Sequence, residues 1–141
     1  MLRAEFGASL SDEGVHILDP FTGTGTFILR LLQSGLIKPA DLVRKYRHEL
    51  HASEIVLLAY YVAAVDIEET FHGLVKDTGG AHAESYGVDG YEPFPGIALT
   101  DTFQTSEDDD RYDDGGIFGD NNERAKAQNA LDIRVIVGNP P

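Results

Sequence analysis

The stretch VHILDPFTGTGTFILRLL, residues 15–32, limits the fold more than any other part of the chain. A mostly apolar run over 15–19 ends in an acid and a proline. Gly23 and Gly25 follow, and then Phe27, Ile28, Leu31 and Leu32 recur at the spacing of one helical face. A buried strand, a tight glycine turn and an amphipathic helix, in that order, form the opening unit of an α/β fold with a parallel sheet. Glycines at 23 and 25 let the backbone turn sharply and come close to a ligand with no Cβ in the way.

The rest of the chain repeats the alternation. Helix 24–36 reaches Gly35, a possible stop. Pro39 sits where a first helical turn accepts proline, and a second, basic helix is expected over 40–49. A strand follows at 50–55, a helix at 56–71, and a Gly-rich polar loop at 75–92. A third strand is read at 96–100, an acidic exposed loop at 104–116, a helix at 121–130 and a β-branched strand at 133–137. Leu2, Phe6 and Leu10 predict a short amphipathic helix within 1–14. There is no internal repeat. Short apolar strands alternating with helices predict a doubly wound, Rossmann-like, mainly parallel sheet of about four strands. Ligands of such sheets bind at the carboxyl ends of the strands. The polar residues closing the four runs are therefore the first candidates: Asp19, Glu54, Asp101 and Asn139.

Composition narrows the function classes. The 141 residues fit one domain. The absence of Cys excludes disulfides and thiolate metal sites, and the five His form no zinc-binding spacing, so no metal is expected. No apolar stretch is long enough to span a bilayer and no export signal is read, so a soluble, cytoplasmic protein is expected. A net charge of −13 opposes direct DNA binding by this chain alone, because phosphate contacts supply most of that affinity. Lys38, Arg44, Lys45 and Arg47 read as the solvated face of the basic helix. Tyr60 and Tyr61 read as core and helix-surface residues.

The glycine turn can be compared with the nucleotide-binding loops. No Lys follows as a phosphate-cradling P-loop requires. Gly23 and Gly25 match the start of a dinucleotide fingerprint, but Ile28 stands where its third glycine belongs. Asp19 before the turn repels a pyrophosphate and suits a cationic ligand. S-adenosylmethionine carries a sulfonium and an ammonium and no phosphate, and it fits best. Glu54 can accept from both ribose hydroxyls. It lies 29 positions after Gly25, against roughly 20 in a minimal unit, and the inserted helix at 40–49 accounts for the excess. Asp101 is placed to accept from an adenine amino group. Glu54 and Asp101 taken singly also read as helix caps or solvated loop ends; it is their joint occurrence at successive strand ends that points to a site.

DPFTGTGTF with the later NPP resembles the amino-methylating DNA methyltransferases of the N6-adenine type. ELHASEIVLLAYYVAAVDIE, FPGIALTDTFQ and LDIRVIVGNPP look like the methylase segment of single-polypeptide Type I restriction-modification enzymes. The likeness runs from about Phe6 to Pro141. It implies an S-adenosylmethionine-dependent adenine-N6 methyltransferase, working with helicase, nuclease and target-recognition parts of a larger polypeptide that contacts double-stranded DNA. By resemblance, Asp19 faces the methionine end of the cofactor, and Pro20, Phe21, Thr22, Gly23 and Gly25 line it. Glu54 takes the ribose, Ile55 lies beside the adenine, and Asp101 with Thr102 meets the adenine edge. Asn139, Pro140 and Pro141 form the catalytic motif, with Asn139 and the Pro140 carbonyl accepting from the amino group of a flipped-out adenine. The aromatic residue expected after NPP is absent. The chain is therefore expected to be a partial methyltransferase domain with an open sheet edge near its fourth strand, unable to transfer a methyl group alone. Two other readings are a methyltransferase acting on RNA or protein glutamine, and a non-catalytic nucleotide-binding module.

Overall fold

The computed structural model describes residues 8–78, 90–101 and 119–140. Thr102, Pro141, the acidic loop at 104–116 and the start of the helix expected within 1–14 lie outside the described residues. Four strands form one parallel sheet: β1 (His16–Asp19), β2 (Leu50–Glu54), β3 (Ile97–Leu99) and β4 (Ile133–Ile136), in the order β3-β2-β1-β4. The chain moves outward from β1 to β2 and β3, then returns to the other side of β1. This is the doubly wound arrangement, and it puts the topological switch point between β1 and β4.

β2 is buried on both faces along its whole length, as a central parallel strand should be. α1 (Thr26–Gln33) buries Ile28, Leu31 and Leu32, one helical stripe. It begins after Gly25, whose φ of +88° a residue with a side chain adopts only with strain, and stops just before Gly35 at φ +72°. α3 (Leu57–Asp77) buries Ala63, Ile67, Phe71 and Val75 at every fourth position. It packs on α1, and together they cover Ile17 and Ala52 of the sheet. α4 (Gly119–Asn129) lies along β3.

Three expectations need correction. Residues 8–14 form turns, not a helix, tied by the Ser9 hydroxyl and N–H donating to Asp12. α3 runs on past Phe71 to Asp77, so the loop expected from 75 begins later; burial of Val75 and packing of Leu74 outweigh the helix-weakening Gly73. The helix expected over 40–49 is a tightened turn at Pro39–Asp41, a short α2 (Leu42–Arg44) and a widened turn at Lys45–Glu49.

Of the basic residues expected on a solvated face, Lys38 is exposed, but Arg44, Lys45 and Arg47 are drawn into ion pairs. Lys45 is wholly buried, donating to the Asp12 and Val15 carbonyls at 2.8 Å each and pairing with Glu49 at 2.7 Å. Arg44 pairs with Asp41 and Glu49, and Arg47 with Glu92. The cluster fastens the turns before β1 to the segment before β2. Glu49 also accepts from the Gly14 N–H at 2.8 Å. Nearby, Tyr46 stacks flat on Phe71, with centroids 3.6 Å apart, and its hydroxyl donates to the Glu92 carbonyl at 2.8 Å.

Candidate functional site

The four strands run parallel, so their carboxyl ends meet along one rim. Asp19 pairs across from Ala52, Glu54 from Leu99, and Leu18 from Ile136. The ladder continues past β4, where the Val137 N–H donates to the Leu18 carbonyl at 2.9 Å. A cleft of about 460 Å³ opens on this rim. Pro20, Phe21 and Gly23 line it from the glycine turn, Ser53, Glu54 and Ile55 from the end of β2. Thr100 and Asp101 line it from the end of β3, and Asn139 and Pro140 from beyond β4.

The turn is built by hydrogen bonds to the strand ends. The Thr22 N–H donates to the Ser53 carbonyl at 3.0 Å, the Thr22 hydroxyl to the Asp19 carbonyl at 2.8 Å, and the Gly25 N–H to the Thr22 carbonyl at 2.9 Å. Glu54 is 8% exposed. Its two oxygens accept from the Gly23 and Val56 N–H groups, both at 2.7 Å. Glu54 thus braces both the glycine turn and the start of α3. Each carboxylate oxygen keeps a further lone pair, and the side chain still lines the cleft.

Asp19 is fully buried. One oxygen accepts from the Phe21 N–H at 3.1 Å, and the other has no hydrogen-bond partner among the described residues. Burial pushes its carboxyl pKa up; the Phe21 N–H opposes the shift and nearby Glu54 adds to it. A buried carboxylate oxygen without a donor is a costly arrangement. Gly138 packs against this carboxylate: a Cβ there would stand 3.0 Å from Asp19 Oδ1.

Of the residues expected from sequence, Pro20, Phe21, Gly23, Glu54, Ile55, Asp101, Asn139 and Pro140 line this one cleft. Asp19, Thr22 and Gly25 are buried in the framework of the turn and do not line it. Thr102 and Pro141 fall outside the described residues. Ser53 and Thr100 join the wall without having been anticipated, since nothing but adjacency to Glu54 and Asp101 marks them. Gly138 was also missed; its place directly before Asn139 was the available signal. Among the described residues, no Lys, Arg or His lines the cleft.

Parallel order, switch-point cleft and glycine turn together define a Rossmann-like α/β domain. No protein-family model matches the chain, and no curated protein matches it. Solved structures do. The chain is 48% identical, with a TM-score of 0.83, to a nuclease-deletion mutant of the Type ISP restriction-modification enzyme LlaGI in complex with a DNA substrate mimic. It is 50% identical, at 0.83, to the ATP-dependent Type ISP restriction-modification enzyme LlaBIII bound to DNA, and 43% identical, at 0.77, to the protein of a DrdV–DNA complex. Each likeness covers 99% of this chain, which spans 11%, 9% and 12% of the respective longer chains. The chain is thus a homologue of one segment of Type ISP restriction-modification enzymes, as the resemblance in its motifs implied.

Proposed function

We propose that this segment is the cofactor-binding and catalytic-loop part of a DNA adenine-N6 methyltransferase that uses S-adenosylmethionine, within a restriction-modification enzyme. The observation that carries the reading is the convergence of the glycine turn, Glu54, Asp101 and Asn139-Pro140 on one acid-lined cleft with no basic side chain among the described residues. Such a wall repels a pyrophosphate and favours a nucleoside bearing positive charge. The Asp19 carboxyl, buried behind the turn, adds to the acidic character of that wall.

S-adenosylmethionine, when bound, supplies an electrophilic methyl group on its sulfonium. The chain's own residues supply position and charge. Asp19 sets the negative field at the methionine end and holds the first bend of the turn through Phe21. Glu54 braces Gly23 and offers its remaining lone pairs to ribose hydroxyls. Asp101 accepts from the adenine amino group, with Ile55 against the purine face; Thr102 is assigned beside it. On the far side of the cleft, the Asn139 side-chain oxygen and the Pro140 carbonyl accept from the amino group of the target adenine, and Pro141 completes the sequence motif. Two acceptors on one amino group favour a tetrahedral, more nucleophilic nitrogen. The target base reaches them only when flipped out of the duplex stack. The similarity to structures of Type ISP enzymes bound to DNA supports DNA as the substrate and the rest of a longer polypeptide as the partner.

Photo-crosslinking with S-adenosylmethionine labelled in its methyl group tests the assignment. Label mapped to peptides containing 20–25, 54–55 or 139–140, and displaced by S-adenosylhomocysteine, is the expected result. Label confined to other peptides would overturn it.

A further inference from the structure

The outer edge of β3 is closed in a way the cleft itself does not require. No strand pairs there among the described residues. Asn121 and Arg124 of α4 take backbone groups that a neighbouring strand would take, while Gln128 reaches into the seam between β3 and β2. Asn121 is buried; its Oδ1 accepts from the Leu99 N–H at 2.6 Å, and its Nδ2 donates to the Leu99 carbonyl at 2.9 Å. Arg124 donates to the Ile97 carbonyl at 3.3 Å. Gln128 donates to the Gly96 carbonyl at 2.7 Å and the Ala52 carbonyl at 3.0 Å, and accepts from the Ser53 hydroxyl. The three residues share one helical face. A primary amide offers an acceptor and a donor side by side, as a neighbouring strand's backbone does, and Asn121 uses both at one residue. On the inner side of the strand the Thr100 N–H donates to the Glu54 carbonyl at 2.9 Å. The end of β3 is therefore gripped from both sides, by Glu54 in the cleft wall and by Asn121 outside it. Asp101 follows directly.

We propose that Asn121 is a positioning residue for the purine end of the cleft. Through the Leu99 backbone it fixes where β3 ends, and so where Thr100 and Asp101 meet a bound adenine. The proposal rests on the reading of the cleft as an S-adenosylmethionine site. Gln128 holds the start of the same strand together with Ala52 and Ser53 of β2, away from Asp101, and provides the comparison that separates positioning at the adenine edge from general stabilisation.

The test is calorimetric titration with two probes, S-adenosylhomocysteine and its counterpart carrying unsubstituted purine in place of adenine. Asn121→Ala is expected to weaken binding of the adenine probe by roughly tenfold, the worth of one hydrogen bond to a charged acceptor, and to leave the purine probe nearly unchanged. Gln128→Ala is expected to lower thermal stability while preserving the wild-type ratio of the two affinities. If Asn121→Ala does not fold, Asn121→Asp replaces it, keeping the acceptor for the Leu99 N–H and losing the donor. Equal losses for both probes, an unchanged ratio, or the same change of ratio in Gln128→Ala would overturn the positioning role. A folded wild-type chain that binds neither probe overturns the reading of the cleft and the positioning role with it. Wild-type binding with an unaltered variant overturns the positioning role alone.

Discussion

Asp19 and His51 sit within a few residues of each other across β1 and β2, and both are buried ionisable groups under strain of opposite kinds. Asp19 keeps one oxygen without a donor, and its raised carboxyl pKa reflects chiefly the burial. The folded chain retains a proton on it at pH values where the unfolded chain has lost one. Its contribution to stability therefore falls as pH rises from the ordinary 3.8 through the folded value, and stays low above it. Asp19→Asn is expected to raise stability at neutral pH by about 1 kcal/mol, read from urea unfolding, and to abolish binding of S-adenosylmethionine. His51 stacks on His16, with a ring nitrogen of each 3.0 Å apart. Burial first, and His16 second, push its pKa down from 6.5 to about 4. Its neutral form is thus the folded form: the stability is fully present above 6.5 and lost as pH falls toward 4. The loss should approach roughly 3 kcal/mol, and unfolding curves of His51→Gln across that range should lack most of it.

At the scale of elements, the strands and the glycine turn were legible because parallel strands are short apolar runs and the turn carries Gly23 and Gly25. What stayed hidden depends on partners far away in sequence. The burial of Lys45 could not be read, because its acceptors are the backbone carbonyls of Asp12 and Val15. Nor could the edge role of α4: Asn121 and Gln128 look like ordinary polar helix residues until β3 is placed beside them. Glu54 was found for its position at a strand end, but its grip on Gly23 and Val56 appears only in the fold. In the cluster before β2, burial lowers the Lys45 pKa despite Glu49, so the pair is held by geometry and not by charge alone. Lys45→Ala is expected to cost about 3 kcal/mol or more, since it strands buried acceptors and unbalances Glu49. Thermal unfolding of that variant against Lys45→Met separates lost packing from the lost charge: only the alanine variant also leaves a cavity.

The whole molecule carries a net charge of −13, and no helix among the described residues is long and apolar enough to cross a membrane. A surface so acidic repels phosphates, while the similar structures include DNA complexes of chains about nine times longer or more. On the function proposed above, most duplex affinity belongs to other parts of the longer polypeptide. Fluorescence anisotropy of this chain with an adenine-containing duplex at physiological salt should show no saturable binding, and none should appear when salt is raised. The central claim is the identity of the ligand at the switch-point cleft, and calorimetric titration of the chain with S-adenosylmethionine, beside NADH, tests it most directly. The account predicts saturable binding of S-adenosylmethionine at one site, lost in Glu54→Ala, with no heat from NADH. Binding of NADH, or a folded chain that takes up neither, would contradict it.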